Sequence, residues 1–105
     1  MNKIKNGFDR MSEAVLLVEA TSIVIKCTGN TYFTAEQAVV TQLDAAAEAY
    51  GEALDLASSG DRLAIATKDA RKTVLINLLR KLGDLVSAVA GGNRMILVSS
   101  GYPRW

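Results

Sequence analysis

Apolar residues recur along most of this chain at three- and four-residue steps, the spacing that gathers side chains on one face of an α-helix. The first such stretch covers residues 8–27. Phe8, Met11, Val15, Val18 and Ile25 form its stripe, and that face is expected to turn toward the core. Leu16, Leu17, Ile23 and Val24 carry the apolar surface well beyond one stripe. A helix of this kind is expected to be buried on more than one side, by the rest of the fold or by another subunit. Thr21-Ser22-Ile23-Val24-Ile25 has the β-branched composition of a strand. The helical period continues on both sides of that segment and decides for helix.

Thr28-Gly29-Asn30 closes the first helix, because glycine and asparagine tolerate the left-handed conformation that ends one. After a loop at Thr31-Tyr32-Phe33, Thr34 is a candidate N-cap with Gln37 three residues on, in capping-box spacing. The second helix is predicted over residues 35–57, with Val39, Leu43, Ala46, Tyr50, Ala53 and Ala57 inward. So many alanines allow close helix approach and limit the hydrophobic stabilisation per turn. Ser58-Ser59-Gly60-Asp61 reads as a turn, with Asp61 or Ser59 capping the next helix. That third helix is predicted over residues 62–90. Ala66, Ala70, Val74, Leu78, Leu82, Leu85 and Val89 make its main stripe, widened by Leu75, Leu79 and Val86 and interrupted by Asn77 and Gly83. At about 1.5 Å per residue it spans roughly 40 Å, so one end is expected to project.

Gly91-Gly92-Asn93 stops the helical pattern, and Met95-Ile96-Leu97-Val98-Ser99 then reads as a short β-type run. No second strand exists to pair with it, and a lone strand leaves its N–H and C=O groups without ladder partners. Its completion is expected from a neighbouring subunit, a separate partner or the chain's own helices. Short connections favour antiparallel neighbours. The expected fold is therefore all-α, a single domain over residues 1–105: an up-down-up three-helix bundle with a short C-terminal extended segment over 94–105.

Composition agrees with a folded protein, since half the residues are hydrophobic and 22% charged across a chain of 105. The net charge of +1 gives no field of one sign to attract nucleic acid or an anionic membrane. Arg71, Lys72, Arg80 and Lys81 are spread around the third helix among leucines, which is no nucleic-acid surface. Lys3, Lys5 and Arg10 precede the run Ala14-Val15-Leu16-Leu17-Val18, but Glu13 and Glu19 bracket it and it is too short for a secretion signal. No stretch is long enough to span a bilayer. The expected location is the cytoplasm or an assembled particle. A thin, alanine-rich core beside excess apolar surface predicts a homo-oligomer or a permanent protein partner.

The chain has no histidine, which removes the commonest general base and metal ligand. Cys27 is the single cysteine and in its apolar stretch reads as a small buried thiol. Asp44, Glu48, Glu52 and Asp55 recur at steps of four, four and three on the second helix and share a face. That face reads first as solvated or paired with Lys68, Arg71 and Lys72, next as an ionic docking surface. A metal site is the poorest reading, since the Glu-x-x-His pairs of di-iron bundles are missing. Gly91-Gly92-Asn93 lacks the lysine and helix of a phosphate loop. No catalytic residue, metal or cofactor is expected, and the chain is not expected to be an enzyme. Tyr32, Phe33, Tyr102 and Trp105 lie outside the helices and either plug the bundle ends or, with Met95, Ile96, Leu97 and Val98, anchor an interface.

Thr28-Gly29-Asn30-x-x-Phe33, the run Leu78-Leu79-Arg80-x-Leu82, Gly91-Gly92-Asn93 and the segment from Ile96 through Ser99-Ser100-Gly101-Tyr102 together resemble a family of uncharacterised bacterial proteins. In that family a helical module of about this size precedes a fibronectin type III domain. The resemblance covers nearly the whole chain. Thr31 and Thr34 stand where the family tends to carry prolines, and the sequence stops at Trp105, where the resemblance leads into a β-sandwich. The resemblance implies a scaffold, a self-associating helical base. The expected function is a non-catalytic structural or assembly module, a component of a repeating or phage-like particle. The alternative is a protein-binding adaptor that donates its C-terminal strand to a partner's sheet.

Overall fold

A computed structural model describes residues 12–102 of the chain. Phe8, Met11 and Trp105, to which the sequence assigned core and interface positions, lie outside the described residues. The described part is all-α: α1 (Glu13–Cys27), a 3₁₀ turn (Thr31–Glu36), α2 (Gln37–Ala57), α3 (Arg62–Ala90) and α4 (Arg94–Ser100). The most extensive packing is between α2 and α3, with α1 laid against α2 and α4 wedged between α3 and α1. The 29 residues of α3 nearly fill the 45 Å long axis of the molecule.

Local chemistry sets most of the ends. Ser12 is extended, with φ −63° and ψ 157°, and its hydroxyl accepts from the Val15 N–H. Among the described residues the first helix therefore begins at Glu13, and residues 8–11 of the predicted helix lie outside them. Asp61 accepts from the Leu63 N–H at 2.8 Å and starts α3. Gly91, at φ +54°, ends it in the left-handed conformation. Thr34 does not cap α2. It lies within the 3₁₀ turn, and the N-cap of α2 is Glu36, whose side chain makes no capping bond. Gln37 instead ties α1 to α2: its Nε2 donates to the Cys27 and Phe33 carbonyls, each at 2.9 Å, and its Oε1 accepts from the Gly29 N–H at 3.1 Å.

The C-terminal run is a helix, not an extended segment. Asn93 Oδ1 accepts from the Met95 and Ile96 N–H groups at 2.9 and 3.4 Å, and Gly101 at φ +80° closes the far end. Two turns of helix satisfy within the segment the backbone groups that a lone strand would leave open. The reward is tertiary, because Leu97 and Ser100 are buried by this folding. No strand occurs among the described residues.

The core also chose a different face of α1. Leu16, Ala20, Ile23, Val24 and Cys27 are buried, while Val15, Val18 and Ile25 of the expected core stripe are exposed, at 48, 66 and 70%. Both faces are apolar, so the period alone could not choose between them. The buried face carries the small Ala20 and Cys27, which let α1 approach the alanine-rich α2 and the C-terminal helix. On α2 the inward set is Val40, Leu43, Ala47, Tyr50 and Ala53, with Val39 and Ala46 only half-buried. On α3 the residues expected to widen the stripe, Leu75, Leu79 and Val86, lie at its centre beside Leu82. Val74 and Val89 face outward, and Ala66 and Ala70 are exposed.

Candidate functional site

The polar contacts around the C-terminal helix hold it to the end of α1. Asn30 Nδ2 donates to the Ser99 carbonyl and hydroxyl at 3.3 and 3.2 Å and to the Lys26 carbonyl at 3.2 Å. The Cys27 thiol donates to the Ser100 carbonyl at 3.4 Å. Burial pushes that thiol from 9.0 up to about 11, so it is protonated at neutral pH and a poor nucleophile. After the helix, the buried Tyr102 hydroxyl donates to the Leu79 carbonyl at 2.6 Å, and burial raises its pKa well above the usual phenol range. At Gly101 the backbone is left-handed, at φ +80°, and this conformation favours glycine.

These contacts divide the expected interaction residues. Phe33, Leu97 and Tyr102 are buried inside the chain, whereas Tyr32, Met95 and Val98 are exposed and Ile96 is half-buried. The Tyr32 ring meets Phe33 edge-on, with centroids 6.5 Å apart, so it is partly spent on the core. Met95 and Val98, three residues apart on α4, share its outer side.

Asp44, Glu48, Glu52 and Asp55 are all exposed along α2. Lys68, a candidate partner for them, turns toward α1: its Nζ lies 3.3 Å from both carboxylate oxygens of Glu13 and 3.5 Å from Asp69. Among the described residues no three acidic or cysteine side chains gather closely enough to hold a metal ion. Tyr50 is wholly buried near this ion pair, and its hydroxyl has no hydrogen-bond partner among the described residues. Burial, then the nearby Glu13 and Asp69 carboxylates, push that phenol up to about 12. The sequence showed Tyr50 as an inward position but held no sign that its hydroxyl would be left unpaired.

What the sequence placed in the core and the structure leaves outside is the outer face of α1. Leu17, Val18, Thr21, Ser22, Ile25 and Lys26 line a shallow, open groove of about 450 Å³ along it. A second depression, of about 300 Å³, lies where Leu56 and Leu63 flank the α2–α3 turn. The signal for the α1 surface was present in the sequence as a helix apolar on both sides. Neither depression brings together an acid and a base, and their walls suit apolar contact better than proton transfer. No helix among the described residues is long and apolar enough to cross a membrane. Comparison of the chain with protein-family models, with curated proteins and with solved structures finds no match.

Proposed function

We propose that this chain is a non-catalytic helical module, with α1, α2 and α3 running up-down-up, that self-associates through apolar helix faces as a component of a repeating assembly. The observation that carries the reading is the exposed outer face of α1, where Val18 is 66% and Ile25 70% accessible. Covering such surface contributes roughly 25 cal/mol per Å². The lack of histidine, the buried protonated Cys27 thiol and the solvent-exposed carboxylates of α2 support a role without catalysis. The resemblance to helical modules that precede a fibronectin type III domain fits a scaffold. Size-exclusion chromatography with light scattering across a concentration series tests the proposal: mass is expected to rise above that of one chain, and a monomer at every concentration overturns it.

A protein-binding adaptor is the second reading, favoured by Met95 and Val98 on the outer side of α4, at 74 and 48% exposure. Because the segment is helical, the adaptor would present a helix face to a groove rather than lend a strand to a sheet. A Met95→Asp, Val98→Asp double variant changes only exposed positions, so it should fold normally and lose the partner under this reading.

A further inference from the structure

The outer face of α1 carries the exposed Val18 and Ile25. Val18, Thr21, Ser22 and Ile25 stand at positions i, i+3, i+4 and i+7, the spacing that lines one face of a helix. The groove along α1 is lined by these four together with Leu17 and Lys26. Val18 and Ile25 form its apolar ends, and the small Thr21 and Ser22 between them permit close backbone approach. Glu19 and Lys26 lie seven residues apart on one flank of this face. Neither makes an ion pair among the described residues.

From this arrangement we infer that α1 pairs with α1 of a second copy, antiparallel about a two-fold axis beside Ser22. The midpoint of Val18 and Ile25 and the midpoint of Glu19 and Lys26 fall on either side of that residue. One axis beside Ser22 therefore brings each Val18 to within about one residue of register with Ile25 of the second copy, and each Glu19 to within about one residue of Lys26 of the second copy. A parallel pairing would carry the Glu19–Lys26 flank of one copy to the opposite side of the interface from that of the second, so the two charges would not meet. The face is self-complementary in one orientation only, which is the requirement for an isologous two-fold contact. Fifteen residues of helix, about 22 Å long, give an interface at the small end of the usual range, so the dimer is weak and exchanging.

This inference rests on the self-association reading, and the test separates the two. In the full chain, Ser22→Cys is expected to give a disulfide-linked dimer under mild oxidation, while the parent, whose Cys27 is buried, gives none. Glu19→Lys or Lys26→Glu alone is expected to weaken the dimer roughly tenfold, and the charge-swapped double variant to restore it. Val18→Asp is expected to abolish it, with an unchanged circular dichroism spectrum because the site is exposed. If the parent associates but Ser22→Cys does not cross-link, or the swap does not restore affinity, this pairing is wrong and self-association by another face stands. A parent that is monomeric throughout overturns both.

Discussion

The two halves of α3 belong to one continuous helix and are held by different forces. From Leu75 to Ala90 seven residues are buried, and from Arg62 to Val74 none is. The C-terminal half lies under α4 and the 3₁₀ turn as well as α2. Opposite the N-terminal half, α2 offers little beyond Tyr50 and Ala53 as buried side chains, and the principal tie to α1 is Lys68 between Glu13 and Asp69. That half is helical through its Asp61 cap and through good helix formers such as Ala64, Ala66, Ala70 and Arg71. The other half is helical because unfolding it would expose the core. A helix can thus be continuous in geometry and divided in stability.

The largest effects should break this contrast directly. Leu79→Ala, at a wholly buried position, is expected to cost about 2–5 kcal/mol in a urea titration. Leu63→Ala, at a position 75% exposed, should cost less than about 0.5 kcal/mol. Equal losses would show that the N-terminal half carries as much of the fold as the C-terminal half.

Alkaline titration comes next. Cys27 is raised from 9.0 to about 11 and Tyr50 from 10.0 to about 12, so the unfolded chain loses each proton first. Stability from these groups is fully present below their unfolded values and is lost as pH rises through the folded ones. The decline should begin near pH 9 through Cys27 and steepen above pH 10 through Tyr50 and the still more strongly raised Tyr102. For Cys27 the full loss is on the order of 3 kcal/mol. Cys27→Ala should flatten the first part of the curve, read by urea midpoints at successive pH values.

Smaller differences should appear at the caps. Asn93→Ala removes acceptors from two N–H groups of α4 and is expected to lower global stability by about 1–2 kcal/mol. Asp61→Ala should cost about 1 kcal/mol or less, with faster amide exchange confined to the first turns of α3. Smallest is the contrast between two buried tyrosines. Tyr102→Phe deletes the bond to the Leu79 carbonyl and should cost about 1 kcal/mol, whereas Tyr50→Phe removes an unpartnered hydroxyl and should be neutral or slightly stabilising.

Much of the candidate interface was legible as a quantity without a location. Excess apolar surface on α1 was visible in the residue pattern, but the stripe of Val15, Val18 and Ile25 looked like the inward one because its spacing was regular. Met95 and Val98 were visible as interaction candidates, although through a strand that is in fact a helix. The unpaired hydroxyl of Tyr50 left no trace, since hydrogen-bond satisfaction depends on which groups arrive from other elements.

By itself the sequence determined the all-α class and several helix ends, among them the Ser58-Ser59-Gly60-Asp61 turn before α3 and Gly91 after it. Capping and backbone conformation act within about one turn, so the residues that decide them are neighbours in the chain. Only the tertiary structure decided which face of α1 is buried, that Met95 through Ser99 coil into α4, and that half of α3 stays outside the core. Burial depends on what lies opposite. Ala20, Cys27, Leu97 and Tyr102 settle those choices by meeting residues far away in sequence, through packing that no local period encodes.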